Sequence, residues 1–185
     1  MTAARKPESP ADRLAGLALT YREVGATAAE LPGGYSHLEV DGVLGHGRPT
    51  HRRAVEALMT WQMHQRAGLS PQVDATRASV GGHVVQRIGA GRFRVGVPCR
   101  VVAVVDEPDR GGFAYGSLPG HPVRGEERFV VSIDDQDLVH LSIRAFSQPA
   151  IWYARLGGPL LRPAQRLAAR WYVRALRKAS APSTP

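Results

Sequence analysis

The sequence predicts an α+β fold in which a curved antiparallel β-sheet wraps around a long C-terminal helix. Between residues 83 and 146, six short valine-rich or alternating runs are separated by tight turns, which is typical of an antiparallel meander. A long amphipathic segment begins near Pro159, and a shorter amphipathic helix is predicted between Pro49 and Gly68. A curved sheet needs one such long helix to close its concave side.

Eight strands are predicted, two before the first helix and six after it. The two early strands are Leu19–Val24 and Tyr35–Leu44, separated by a turn-rich LPGG sequence. The later strands are Val84–Ile88, Phe93–Val97, Arg100–Val105, Phe113–Ser117, Arg128–Ile133 and Leu138–Phe146. Because the turns between the later strands are short, successive strands are expected to run antiparallel.

The predicted C-terminal helix has a cationic row and an apolar side. The row consists of arginines at every fourth position: Arg162, Arg166, Arg170 and Arg174. The apolar side is assigned to Leu160, Leu161, Leu167, Ala168, Trp171, Tyr172 and Ala175. The arginine row could bind an anionic membrane surface or an acidic partner, but we favour a solvated face of a basic protein.

Composition indicates a single globular domain over residues 1–185, with flexible tails at 1–10 and 180–185. No apolar run is long enough to form a transmembrane helix, and the N-terminus lacks the apolar block of a signal peptide. A cytoplasmic protein is therefore expected, and its single cysteine, Cys99, fits a reducing compartment.

The net charge of +8 is carried almost wholly by arginine, since the chain has only two lysines, Lys6 and Lys178. A basic protein of this kind can bind nucleic acid or anionic lipid. The arginines are scattered, however, and they are not interleaved with aromatic residues as in nucleic-acid binders. We attribute the charge to a coding bias and expect no nucleic-acid partner.

The segment 112–133, GFAYGSLPGHPVRGEERFVVSI, reads as two strands joined by a proline-stiffened loop. In the second strand, alternation places Glu127 and Phe129 on an apolar face and Glu126 on the opposite, solvent-facing side. In a hairpin of these strands, Tyr115 would lie opposite Glu127, so a phenol and a carboxylate would meet on the inward face.

Glu127 is the leading candidate for a functional residue, because desolvation on an apolar face would raise its pKa and suit it to proton transfer. Two structural explanations need no function: Glu127 could lie at the end of the strand in contact with solvent, or it could form an ion pair with Arg100. Tyr115 and His121 are further candidates, although buried tyrosines and loop histidines usually have structural roles. Expected apolar walls come from Phe113, Phe129 and Trp171.

Other chemistry finds little support in the sequence. No Cys, His or carboxylate cluster has metal-ligand spacing, so we expect no metal site. Cys99 opens a valine-rich strand and is interpreted as a small core residue, because no histidine base can be assigned to it. The glycine-rich stretch 89–96 precedes no helix, and no Walker sequence or GxSxG elbow is present. We expect no cofactor.

Several segments carry a family resemblance: LTYREVGAT, GYSHLEVDGVLGHGR, the TWQMHQRAGL of the first helix, PCRVVAVVDEPDRGGF, GFAYGSLPGHPVRGEERF and the C-terminal AFSQPAIWYARLGGPLLRPAQRLAARWYVRAL. Together they resemble a bacterial and plant family without assigned function, the domain-of-unknown-function family numbered nineteen-ninety. The match spans nearly the whole chain. The family has no agreed catalytic residues, so the resemblance implies none here.

The predicted element order is similar to that of the START-like, helix-grip proteins related to the birch-pollen allergen. In that fold, a curved antiparallel sheet wraps a long C-terminal helix and leaves a cavity for apolar ligands. The sequence departs from the pattern at its start, since it predicts two strands and one helix where those proteins have one strand and two helices.

Three functional hypotheses follow. The first is a protein that binds a small apolar or amphipathic molecule between sheet and helix, oriented by Tyr115, His121 and Glu127. The second is an enzyme on the same scaffold, such as a cyclase, hydratase or isomerase, in which Glu127 or His121 moves protons. The third, less favoured, is a module that binds a membrane surface or a protein partner through the Arg-rich helix.

Overall fold

The computed structural model describes residues 14–88, 95–150 and 158–182, excluding the side chains of residue 88 and of 158–165. The strands are β1 (Ser36–His46), β2 (Gln72–Val73), β3 (His83–Ile88), β4 (Val95–Glu107), β5 (Arg110–Ser117), β6 (Val123–Ile133) and β7 (Leu138–Pro149). The helices are α1 (Arg48–Met59), α2 (Gln62–Arg66) and α3 (Gly158–Ser180), preceded by a 3₁₀ turn at Ala26–Ala28.

The described strands form one antiparallel sheet in the order β1-β7-β6-β5-β4-β3-β2. From β2 to β7 every strand pairs with its sequence neighbour, as short turns require, and β1 closes the order beside β7. Register irregularities interrupt β1 at Val43/Gly45 and β4 at Val101/Ala103, where they help the sheet to curve. The predicted α+β class and the helix-grip arrangement are confirmed.

The three helices given above, those of the described residues, pack against the concave face of the sheet. Two glycines allow close approach: a Cβ added at Gly42 on β1 would lie 2.5 Å from Val173 of α3, and one at Gly111 on β5 would lie 2.5 Å from Val55 of α1. The core lies between these layers. Its largest fully buried side chains include Leu58, Met63, Phe113, Phe129, Leu141, Ile143 and Leu176.

The predicted order of the first elements was wrong in two respects. Leu19–Val24 is not a strand; it crosses the convex face as irregular chain, with the Thr20 amide donating to the Ser117 carbonyl oxygen. The single helix predicted up to Gly68 is broken at Trp61, whose φ of 64° is left-handed and ends α1 before α2 begins. One strand followed by two helices is therefore the actual order, and the departure from the helix-grip pattern disappears.

The predicted break between the strands at 93–97 and 100–105 is also absent, because residues 95–107 form one long strand, β4. Residues 93 and 94, where the first was predicted to begin, lie outside the described residues. At the C-terminus, Ser180 was assigned to a tail, yet it is buried and ends α3, and its carbonyl oxygen accepts from Arg53 Nε at 2.8 Å.

The apolar side of α3 was assigned partly to the wrong residues. Leu167 and Trp171 are 49% and 51% exposed, whereas Ala175 is buried as predicted, together with Ala169 and Leu176, which were not assigned to this side. At about 100° per residue, the buried residues form a stripe that excludes positions 167 and 171. No helix among the described residues is long and apolar enough to cross a membrane.

Candidate functional site

Tyr115 and Glu127 face each other across the β5–β6 hairpin, in the register that alternation predicted. The Tyr115 hydroxyl donates a hydrogen bond to Glu127 Oε2 at 2.9 Å. Both side chains point to the concave face, where Tyr115 is buried and Glu127 is partly buried. The arrangement brings a carboxyl group into the apolar interior with one hydrogen-bond donor.

The surroundings of Glu127 disfavour its charged form. Desolvation raises the pKa of the Glu127 carboxyl to about 7, against a smaller opposing effect of the hydrogen bond from Tyr115. Burial and the Glu127 charge together hold the pKa of the Tyr115 phenol well above its usual value. The pKa of Tyr172, on α3, is raised for the same two reasons. Near neutral pH, Glu127 can therefore either hold or release a proton, while both phenols remain protonated.

A pocket of about 190 Å³ lies beside this pair, between the sheet and α3. Its wall combines apolar side chains with a few polar ones. The residues that line it include Gln86, Cys99, Tyr115, His121, Glu127, Ala145, Ala168 and Tyr172.

Gln86 is a pocket residue that sequence reasoning missed. It is only 3% exposed, and neither its amide nitrogen nor its amide oxygen has a hydrogen-bond partner among the described residues. Buried amides are normally paired, so an unpaired one in a pocket wall marks a place where another polar group can bind. A signal was available, since Gln86 shares one face of β3 with the fully buried Val84.

His121 lies in the β5–β6 loop and lines the same pocket, which is the position that a ligand-contacting residue must occupy. The Val123 backbone N–H donates to His121 Nδ1 at 3.1 Å, so the neutral ring carries its proton on Nε2. Burial lowers the pKa of His121 to about 4. At neutral pH the ring is therefore uncharged, and it offers a donor rather than a positive charge.

Phe113 and Phe129 were expected to form pocket walls, but both are fully buried in the packed core and do not line the pocket. The cause is α2, which covers this part of the concave face. His64 of α2 packs edge-on against Phe129 with ring centroids 5.4 Å apart, and Trp61 lies 5.0 Å from Phe113. Trp171 faces outward, and its neighbour Tyr172 takes the expected place in the wall.

Glu126 was predicted to face solvent and is instead 3% exposed on the convex face. The segment before β1 covers it there and supplies four donors. The Tyr21 hydroxyl and the Gly25 N–H each donate to Oε2 at 2.8 Å, and the Thr27 N–H and hydroxyl donate to Oε1. With its lone pairs so occupied, the Glu126 carboxylate fastens this segment to the sheet.

Cys99 is buried in the pocket wall, in agreement with its interpretation as a small core residue. Burial, and to a smaller extent the Glu127 charge, raise the pKa of its thiol. A thiol kept protonated in this way is a poor nucleophile. Among residues 14–88, 95–150 and 158–182, no three His, Cys, Asp or Glu side chains converge to hold a metal ion.

The sequence is similar to a family model and to proteins from other organisms. The family model "Domain of unknown function (DUF1990)" matches residues 20–175. A UPF0548 protein of Deinococcus radiodurans is 40% identical over 147 residues, which cover 74% of each chain. The UPF0548 protein At2g17695 of Arabidopsis thaliana is 28% identical over 134 residues, covering 69% of this chain and 65% of its own.

Solved structures share the fold at low sequence identity. A hypothetical protein of Helicobacter pylori, jhp0584, is 11% identical with a TM-score of 0.62, covering 89% of this chain and 96% of its own. The protein Ara h 8.0201 is 9% identical with a TM-score of 0.52, covering 80% and 98%. A norcoclaurine synthase of Thalictrum is 11% identical with a TM-score of 0.52, covering 81% and 100%. These likenesses establish the helix-grip fold.

Proposed function

This chain belongs to the family Domain of unknown function (DUF1990), and we propose that it binds a small amphipathic molecule in the pocket between the curved sheet and α3. The observation that carries the proposal concerns Gln86, a buried amide in the pocket wall whose nitrogen and oxygen have no hydrogen-bond partner in the part of the chain that the structure describes. Leaving such groups unpaired is costly, and a ligand that pairs with them recovers that cost.

The pocket limits the size and chemistry of the ligand. A volume of about 190 Å³ is somewhat larger than the engineered cavity of about 150 Å³ that binds benzene. A single ring or a short branched chain fits such a space. Gln86 offers an NH2 group that can donate and a carbonyl oxygen that can accept, His121 offers a donor, and Glu127 accepts or donates according to its protonation. A neutral molecule with a hydroxyl or amide group meets these demands.

Native mass spectrometry of the purified protein tests the proposal by detecting a co-purified small molecule. The matched variants are Ala145→Leu, which fills the pocket, and Ala29→Leu, which adds the same bulk at an exposed site. We expect the adduct in the wild type and in Ala29→Leu but not in Ala145→Leu. An adduct that persists in Ala145→Leu, or a wild type that stays unloaded and gains no thermal stability from a library of ring-sized compounds, contradicts the proposal.

A second candidate function is catalysis of proton transfer in the same pocket, as in cyclases, hydratases and isomerases. One observation favours it: the pKa of Glu127, raised to about 7, suits a general acid or base near neutral pH. Glu127→Gln separates the two functions, since the amide keeps the shape and the hydrogen bond from Tyr115 but cannot transfer a proton. A molecule released from the wild type is incubated with each protein. Conversion by the wild type alone, with binding retained in Glu127→Gln, selects the enzyme.

A further inference from the structure

Between residues 166 and 180, the part of α3 whose side chains the structure describes, seven residues are exposed and five of them are cationic. They are Arg166, Leu167, Arg170, Trp171, Arg174, Arg177 and Lys178, and we call this surface the basic face of α3. The helix itself carries no acidic residue, because no Asp or Glu follows Asp137 in the sequence. A 23-residue helix with cations and without carboxylates is unusual among surface helices, which normally mix both signs.

The cations of this face are largely unengaged. None of the ion pairs among the described residues includes Arg166, Arg170, Arg174 or Lys178. Arg177 donates from its guanidinium to the Val43 carbonyl oxygen. The remaining guanidinium and ammonium groups therefore keep their donors for an external anion.

The two apolar members lie on the same side as the cations. Leu167 and Trp171 are one helical turn apart and remain about half exposed, at 49% and 51%. An α-helix turns by about 100° per residue, so the seven residues of the basic face cover an arc of roughly 140° around the helix axis and roughly 18 Å along it. Exposed Trp and Leu beside Arg and Lys on one straight face match a helix that lies in a membrane interface.

We propose that the basic face of α3 binds the surface of an anionic membrane, with Trp171 and Leu167 entering the headgroup region and the cations contacting lipid phosphates and carboxylates. This site is separate from the pocket, so the proposal does not depend on the proposed function. The cations attract anionic lipid. The two apolar side chains, which are half exposed in the folded protein, become buried in the membrane interface.

A membrane is favoured over an acidic peptide because of the neighbouring groove. Arg166, Arg170 and Arg174 border a groove of about 610 Å³ whose other side carries Glu39 and Asp41 of β1. An anionic chain lying in this groove would meet two carboxylates, whereas a flat surface contacts only the outward side of the helix. Nucleic acid is less favoured, since this face offers a single exposed aromatic ring for base stacking.

Vesicle sedimentation tests the proposal with the full chain. Wild-type protein is mixed with phosphatidylcholine vesicles with or without phosphatidylserine, at low salt and at about 0.15 M salt. We expect sedimentation with the anionic vesicles, weakened by salt. Arg170→Gln/Arg174→Gln should bind about 25-fold more weakly, at about fivefold per cation. Its matched control, Arg22→Gln/Arg87→Gln, removes the same charge from exposed sites elsewhere and should bind within about twofold of the wild type.

Leu167→Ala/Trp171→Ala keeps every charge and should still lose at least about tenfold in affinity, because two apolar contacts are removed. Circular dichroism verifies that each variant is folded. Equal binding to both vesicle types, or equal losses in the two arginine pairs, overturns the proposal. A DNA duplex is a further competitor. The proposal is also overturned if the duplex releases the wild type from vesicles and binds the wild type but not Arg170→Gln/Arg174→Gln, since that result assigns the face to nucleic acid.

Discussion

Glu126 and Glu127 are neighbours in β6 whose carboxyl groups lie on opposite sides of the sheet in contrasting surroundings. Glu126 accepts four hydrogen bonds from the segment that covers the convex face. Glu127 receives one, from Tyr115, in the wall of the pocket. The first carboxylate is saturated and structural, and the second retains acceptor capacity for a ligand or a proton.

Replacing Glu126 should damage the fold. In Glu126→Ala, the Tyr21 hydroxyl and the Gly25 and Thr27 amides lose their common acceptor, and we expect the free energy of unfolding to fall by about 3–5 kcal/mol. Urea denaturation measures the loss. Tyr21→Phe removes a single donor and should cost about 1 kcal/mol. A Glu126→Ala protein as stable as Tyr21→Phe would show that the four bonds contribute little.

Replacing Glu127 should change how stability depends on pH. The pKa of Glu127 is about 7 in the folded protein against 4.5 as reference, so the folded state favours the protonated acid. The Glu127 carboxyl makes its full contribution to the unfolding free energy below pH 4.5, and this contribution is lost as the pH rises towards 7. Relative to Glu127→Gln, the wild type should lose about 3 kcal/mol of unfolding free energy across that window.

Urea denaturation of the wild type and Glu127→Gln at a series of pH values between the two limits checks this prediction. Tyr115→Phe serves as a second control, because loss of the donor to Glu127 removes an influence that lowers its pKa. The window should then extend to higher pH. If the unfolding free energies of the wild type and Glu127→Gln change in parallel with pH, the pKa of Glu127 is not raised in the folded protein, as for a solvent-exposed carboxylate.

Gln86→Leu should separate stability from binding. Removing a buried amide that has no partner among the described residues should raise the unfolding free energy of the unliganded protein by about 1–2 kcal/mol. The same change should abolish the small-molecule adduct in native mass spectra, because the polar contact is lost. Gln65→Leu, at an exposed position, is the matched control and should alter neither quantity. A destabilised Gln86→Leu protein would mean that the amide is paired in solution.

The packing of α3 on β1 can be tested with a double-mutant cycle. A Cβ at Gly42 would lie 2.5 Å from Val173, so Gly42→Ala should cost about 1–3 kcal/mol by overpacking. Val173→Ala makes room, and the double variant should recover most of that cost. Thermal or urea unfolding of the four proteins gives the coupling energy, which should exceed about 1 kcal/mol. Additive effects would indicate that the two residues are not in contact.

The site could be predicted from sequence where a strong local pattern determined it. The Tyr115–Glu127 pair followed from alternation in two strands joined by a short loop, which together fix the register. The long helix also followed from its periodicity, although the face was partly wrong. Its core stripe contains Ala169, Ala175 and Leu176, and it leaves out Leu167 and Trp171.

The missed features depend on contacts between distant parts of the chain. Glu126 reads as a solvent-facing residue until the irregular segment that carries Tyr21 and Thr27 is placed over it. Trp61 continues an apolar pattern, so its left-handed backbone, which ends one helix and starts another, leaves no sequence signal. Phe113 and Phe129 face the concave side as expected, but only the position of α2 decides that they are sealed from the pocket.

The chain from Thr20 to Thr27 has a wider consequence, because it is attached to the strand that carries the candidate site. A shortened protein that begins after Thr27 would leave the Glu126 side chain exposed on the convex face, without the donors of Tyr21, Gly25 and Thr27. The segment from Thr20 to Thr27 and residue 126 are thus interdependent in this protein.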